Sequence, residues 1–370
     1  MSKEKWYSLK NILKYDALYS MVYGERGPGK TYSWKVLAIE EYFKNHKQSA
    51  LIRRYDEDFK GNRGSQLFDD INLNQEVHRI TKGKWDYVEY YSRKWYFGRY
   101  EENDKGEKKK VRADEPFLFG FGLSSAEHDK SISYSNVKWI ILEEFISMTG
   151  TYLTDEFVLF QNTLSTIIRH RTDVRILMFG NAISKYCPYF AEMGLSKGIK
   201  KQLPGTIDIY KYGESGLSVA VEYTEAHPAR ESNKYFAFGN EKLKMISDGS
   251  WQIPSYPHLP PEYRFRPKDV RATVFFNFDD EWLHGEVVQK NGSMFLMIHA
   301  KTTPLFSPEK DWVYSSQVSP LPNWRRRVTR PVYAIDKLVL NLIKQEKVYY
   351  GTNECGDLME NYLKWCERGV

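Results

Sequence analysis

Gly24-Glu25-Arg26-Gly27-Pro28-Gly29-Lys30-Thr31 constrains this chain more than any other stretch of it. The octet has the spacing G-x-x-x-x-G-K-[ST]. A short apolar run, Leu18–Tyr23, precedes it, and Trp34, Leu37, Ala38, Glu41 and Tyr42 recur at helical spacing after it. The local fold is therefore strand, glycine loop, helix. Glycines let successive backbone N–H groups turn inward around a phosphate, and the helix adds its N-terminal dipole. In that reading Gly24, Arg26, Gly27 and Gly29 form the cradle, Lys30 sets its charge on the β- and γ-phosphates, and Thr31 holds Mg²⁺.

Such a site needs an acid from a neighbouring strand. Ile140-Ile141-Leu142-Glu143-Glu144 supplies two, at the end of an apolar run. Adjacent strand residues point in opposite directions, so the two carboxylates divide the work. Glu143 reaches the Mg²⁺ shell, and Glu144 orients and deprotonates the attacking water. Arg169, His170, Arg171 and Arg175 precede the next apolar run, Ile176–Phe179. An arginine beside a nucleotide stabilises charge on a transferring phosphoryl group, from its own subunit or a neighbour. Gly180-Asn181-Ala182 follows that run, and an amide at a central strand end suits sensing of the γ-phosphate.

Alternation of apolar runs with helical segments (Ser49–Tyr55, Trp139–Leu142, Thr154–Arg171, Ile176–Phe179) predicts a mostly parallel α/β sheet covered by helices. Tyr87–Tyr100 reads as a hairpin arm, Glu101–Arg112 as its charged tip and Pro116–Gly122 as the returning strand. Past Gly194 the texture changes, and strand-like runs at Thr206–Tyr212 and Leu217–Tyr223 lead into a polar segment. These shifts suggest three parts: 1–200, a linker or lid at 201–235, and a second compact region at 236–370. Within the last, Ala272–Phe278, Glu286–Gln289 and Ser293–His299 read as consecutive antiparallel strands, and Asp336–Lys344 and Gly356–Glu367 as helices.

Hydrophobic residues make up 41% of the 370, so the chain is globular, and its longest apolar runs are too short to span a bilayer. No apolar signal region follows Met1, and the three cysteines lack metal-ligand spacing, which suits a reducing compartment. Net charge is +6, but the clustering matters more: Lys105, Lys108, Lys109, Lys110 and Arg112 crowd one polar stretch and Arg325, Arg326, Arg327 and Arg330 another. Each run is either a solvated face or a site of phosphate contact, and lysines on a mobile hairpin tip suit contact with phosphates whatever the base sequence.

Taken together, Tyr15-Asp16, the Gly24–Thr31 loop, Ile52-Arg53-Arg54-Tyr55, Glu143-Glu144-Phe145-Ile146, Arg169-His170-Arg171 and Asn181-Ala182 resemble the phi-29-type bacteriophage DNA packaging ATPases in order and spacing. The resemblance covers residues 5 to about 190 well and continues weakly through Arg271–His299. It implies an additional-strand P-loop ATPase domain, related to the large terminases, then a small linker or lid and an RNase H-like α+β domain that has lost its nuclease acids. It further implies ATP and Mg²⁺ as cofactors and a homo-oligomeric ring, a pentamer, acting on double-stranded DNA. The ring would work in the host cytoplasm, at the portal vertex of a procapsid, with a structural RNA as a further partner. Carried over, Glu144 matches the catalytic glutamate, Arg169 a finger acting on the neighbouring subunit, and Asn181 the coupling residue. Glu143 stands where the family usually has aspartate.

A terminase with an active nuclease is the alternative, and it requires three or four carboxylates converging on two metals. The strands Ala272–Phe278 and Ser293–His299 carry no interior acid, and Asp279, Asp280 and Glu281 fall at a hairpin turn.

Overall fold

The structure is a computed structural model that describes residues 7–25, 29–102, 107–125, 133–181, 184–225, 255–301 and 307–367. The chain divides into two compact units, Met1–Trp251 and Gln252–Val370.

The first unit begins with α1 (Lys10–Leu13), β1 (Tyr19–Gly24), α2 (Lys30–Asn45) and β2 (Gln48–Arg53). Three short helices follow, α3 (Asn62–Gln66), α4 (Asp69–Leu73) and α5 (Glu76–Ile80). Then come β3 (Tyr87–Tyr91), β4 (Lys94–Glu102), β5 (Lys108–Arg112), β6 (Leu118–Gly122) and β7 (Val137–Glu143). The unit closes with α6 (Glu156–Ile168), β8 (Arg175–Asn181), α7 (Pro188–Glu192), α8 (Ser196–Ile199), β9 (Thr206–Tyr212) and β10 (Leu217–Tyr223). One sheet joins these strands in the order β3-β4-β6-β2-β7-β8-β1-β10-β9, with β5 paired to β4.

The strands from β6 to β10 in that order are all parallel. Their unbroken hydrophobicity has a structural cause, since both faces are covered. Met21, Ile140, Leu142 and Met178 join the core on one side, and Val22, Ile141, Leu177 and Trp34 the core on the other. Strand β8 lies between β1, which carries the glycine loop, and β7, which carries the two acids. That inserted strand is the mark of the additional-strand class. It sets the loop, the acids and Asn181 side by side at one end of the sheet.

Two readings from sequence are revised here. Thr206–Tyr212 and Leu217–Tyr223, assigned above to a linker or lid, extend the first sheet: β10 runs parallel to β1, with Tyr19 opposite Val219, and β9 folds back on β10. Pro204-Gly205 is the turn into this hairpin, not a domain boundary. The basic segment differs as well. Tyr87–Tyr100 is two strands joined at Ser92-Arg93, both with positive φ as a two-residue hairpin turn demands. Lys108–Arg112 is not a tip but the third strand, paired with Gly98–Glu102. Leu118–Gly122 returns beside β2 and touches β4 only at Lys94 and Trp95.

The second unit has β11 (Val270–Phe278), β12 (Glu281–Lys290), β13 (Ser293–Ala300), β14 (Val313–Ser315), β15 (Trp324–Arg325), α9 (Ala334–Lys344), β16 (Val348–Tyr350) and α10 (Asn353–Glu367). Its sheet order is β15-β14-β11-β12-β13-β16. A three-stranded antiparallel meander is thus flanked by parallel β14 and β15, the strand arrangement expected of an RNase H-like sheet. Asp279 (φ 52°) and Asp280 (φ 62°) form the two-residue turn between β11 and β12. Where β11 and β14 end side by side, the facing residues are Asn277 and Ser315, a neutral buried pair bonded at 2.9 Å. Among the described residues, no group of three or more His, Cys, Asp or Glu is placed to hold a metal.

Candidate nucleotide site

Gly29, the residue before α2, has φ 95°, a left-handed conformation that costs glycine nothing and frees the helix N-terminus to face the loop. Lys30 opens α2 and is 6% exposed. Its ammonium donates to the carbonyls of Gly24 and Glu25. Burial pulls its pKa down to about 8, against a smaller opposing pull from Glu25. A cation so poorly solvated gains strongly from a phosphate beside it.

Glu143 ends β7 at 4% exposure. Burial works against its charge, but Arg53, Thr31 and Trp34 outweigh it and hold the carboxyl below its ordinary range. The Arg53 guanidinium forms an ion pair with one oxygen. The indole N–H of Trp34 donates to the other at 3.2 Å, and Thr31 is near enough to help hold the carboxyl's charge. A carboxylate held ionised near the threonine that follows Lys30 is an all-oxygen donor set of the kind Mg²⁺ takes. The residues fit the ion.

Glu144 is exposed and has φ 61°, where a non-glycine residue is strained by about 1–2 kcal/mol. The turn is held from three sides. Phe145 N–H donates to Phe179 O on β8 at 3.1 Å. Arg54 donates to the carbonyls of Glu144 (3.1 Å) and Phe145 (3.4 Å) and lies over the Tyr152 ring. Arg54 also pairs at 2.7 Å with Glu156, which accepts from Tyr189 OH and Leu153 N–H. Strain of this kind persists where its surroundings over-determine it, and these contacts supply that. Asn181, last residue of β8, stands in register with Gly24.

Lys30, Thr31, Glu143, Glu144 and Asn181 therefore meet at one end of the sheet. Arg26 and Gly27 lie outside the described residues, as does Lys105. Arg169 is not brought to this site. It caps the C-terminal end of α6, before β8 starts, so the length of β8, roughly 23 Å, separates its end of the sheet from Asn181. Arg171 bonds to the carbonyls of Val137 and Ile167, and Arg175 pairs with Asp16 at 3.0 Å. Both are structural. On the basic strand, Lys108, Lys110 and Arg112 alternate onto one face and Lys109 onto the other.

Sequence reasoning gave no role to Arg53, Arg54 and Trp34, or to Glu156. Their signal was the pair of consecutive arginines leaving an apolar strand, whose buried partners lie about 90–100 residues away. It also missed a cavity of about 600 Å³ beside the loop, lined by Tyr7, Leu9, Gly29, Tyr32, Ser33 and Val36 among others.

Comparison with known proteins agrees with this architecture. The profile described as Podovirus DNA encapsidation protein (Gp16) matches residues 1–99 and 97–212. The DNA packaging protein of Bacillus phage phi29 is 27% identical over 205 residues, 55% of this chain and 54% of that protein. That of Bacillus phage B103 is 27% identical over 194 residues, 52% of each. The chain thus spans about half the length of the curated relatives it matches. Among solved structures, one described as the bacteriophage Phi-29 viral genome packaging motor assembly aligns at TM-score 0.57 and 20% identity, over 96% of this chain and 99% of the other. Another, described as the Phi-28 gp11 DNA packaging motor, aligns at TM-score 0.55 and 18% identity over 100% of both. At that identity the two establish a shared fold.

Proposed function

This chain belongs to the podovirus DNA encapsidation protein (Gp16) family, and from that premise we propose that it is an ATPase motor that drives double-stranded viral DNA into a procapsid. The observation that carries the reading is the strand order: β8 sets Asn181 beside the glycine loop on one side and the acid-bearing strand on the other. ATP is the substrate. Lys30 and the N-terminus of α2 hold its phosphates, and the cavity along α2 takes its ribose and base.

Thr31 and Glu143 would hold Mg²⁺, which when bound neutralises charge developing on the phosphates. Glu144 orients the attacking water and takes its proton. Asn181, in register with Gly24 at the start of the glycine loop, reports the γ-phosphate to the rest of the sheet. Arg169 acts on the neighbouring subunit's nucleotide, which makes a ring necessary, and a pentamer is the proposed form. Lys105, Lys108, Lys109, Lys110 and Arg112 contact the DNA backbone. The portal of the procapsid and a structural RNA are the other proposed partners, met in the host cytoplasm at the portal vertex. An active nuclease is not favoured, given Asn277 and Ser315 at the ends of β11 and β14.

ATP hydrolysis by the purified chain, with and without duplex DNA, tests the reading when paired with the mass of the assembled particle. Hydrolysis stimulated by DNA in a particle of several subunits is expected. No hydrolysis under either condition, with Mg²⁺ present, would overturn it.

A further inference from the structure

We propose that the solvent face of the β3–β4–β5 sheet binds single-stranded nucleic acid, by stacking unpaired bases against its tyrosines and Arg112. This goes beyond the duplex-DNA reading and does not depend on it.

Strand register decides what the face presents. Tyr87 lies opposite Gly98, and Gly98 opposite Arg112; Tyr100 lies opposite Lys110. With alternation along each strand, Tyr87, Tyr91, Tyr96, Tyr100, Lys110 and Arg112 share one side. The reverse side carries Val88, Trp95 and Phe97, all buried in the core. Burial therefore accounts for the inner face and, on the outer one, for Tyr96, which lies under Arg112 at 8% exposure; it leaves Tyr91 and Tyr100 unexplained.

The outer face is organised. Tyr87 lies across Gly98 so closely that a Cβ there would sit 2.4 Å from its ring, and its centroid is 5.1 Å from that of Tyr100. The Arg112 guanidinium stands 4.7 Å from the Tyr96 centroid and 5.2 Å from that of Tyr91, and the Lys110 ammonium 5.7 Å from that of Tyr87. Even so, Tyr91 is 61% exposed and Tyr100 49% exposed. Flat rings and a planar guanidinium held on a sheet are what an unpaired base stacks on.

Charge selects the same partner. Lys94, Lys108, Lys110 and Arg112 on this face outnumber Glu89 and Glu102 by two, so the ligand is a polyanion. A duplex offers phosphates but hides the faces of its bases, so it would gain nothing from tyrosines. An acidic peptide would meet the cations and leave the rings unused. A single strand uses both.

Labelled oligouridylate, oligodeoxythymidylate and a blunt duplex, each titrated with the full chain, form the test. The wild-type chain should bind the single strands. Tyr91→Ala with Tyr100→Ala should weaken that binding about tenfold or more, while Tyr91→Phe with Tyr100→Phe should retain it. Duplex affinity and ATP hydrolysis should stay unchanged in both. Whether the uridylate or the thymidylate binds more tightly identifies RNA or DNA as the natural source. A wild-type chain that ignores both single strands overturns the proposal, as does an alanine variant that loses duplex and single-strand binding equally. Either result leaves the ATPase reading intact, because that reading is judged on hydrolysis.

Discussion

Two adjacent glutamates have different surroundings here because the backbone separates them. Glu143 is sealed among Arg53, Trp34 and Thr31, whereas Glu144 turns out to solvent in a left-handed conformation. Of the two, only Glu144 is open to water, which suits the proposed base. Glu144→Gln should keep nucleotide binding and lose turnover by on the order of a hundredfold or more. Near wild-type hydrolysis by that variant, measured by phosphate release, would show that Glu144 is not the base. Arg53 carries a different expectation. Removing one member of a buried ion pair leaves the other charge uncompensated, at a cost of about 3 kcal/mol or more. Arg53→Met should therefore lower the denaturation midpoint of the first unit markedly, and a change below about 1 kcal/mol would mean that Trp34 and Thr31 suffice to hold Glu143.

Elements made by local periodicity were legible in the sequence, and those made by distant pairing were not. The apolar runs of β1, β2, β7 and β8 and the helical spacing in α2 and α6 announced themselves, and Lys30, Thr31, Glu143 and Asn181 came with them. Strands β9 and β10 were seen as strands but misplaced, since nothing local says that Leu217–Tyr223 will pair with Tyr19–Tyr23 across the unit. Arg53, the last residue of β2, and Arg54 after it failed likewise, their partners lying on β7 and α6. Basic strand β5 reads in the sequence as part of a hairpin's charged tip because charge masks alternation. Its geometry still allows phosphate contact: replacing Lys108, Lys109 and Lys110 with Gln should weaken duplex binding and flatten its salt dependence by up to about 0.9 log units per lost contact. An unchanged slope would remove the strand from the DNA path. In the second unit, Asp336 lies in the first turn of α9 and is 1% exposed. Burial raises its pKa, but the N–H groups of Val332 and Tyr333, with Tyr314 OH and the Trp312 indole, all at 2.9 Å, outweigh burial and hold it below 3.8. A depressed acid stabilises the fold above its unfolded value and loses that contribution as pH falls through its folded value. Asp336→Asn should thus cost about 2 kcal/mol at neutral pH. The gap to wild type should close as unfolding is followed down through pH 4, and a gap independent of pH would locate its cause in packing.

For the whole molecule, the position of Arg169 is the most consequential fact. A parallel sheet has two ends, and the helix α6 carries the chain from the end bearing Glu143 back to the start of β8. Arg169 therefore sits at the end remote from its own nucleotide site, and no side chain spans roughly 23 Å. If it stabilises phosphoryl transfer, the phosphoryl group belongs to another copy of the chain. That geometry converts a residue assignment into a statement about assembly. A ring so built couples its sites, because each subunit supplies to its neighbour what it lacks itself. Arg169→Ala subunits should bind ATP as wild type does, since Lys30, Thr31 and Glu143 are untouched. Mixed with wild-type subunits, they should depress hydrolysis more steeply than their share of the mixture, because each mutant silences an adjacent site that is otherwise intact. The measurement is the ATPase rate across a series of mixing ratios after the subunits have exchanged. A loss that is linear in mutant fraction would mean that each subunit completes its own site, and another arginine would have to be sought near Asn181.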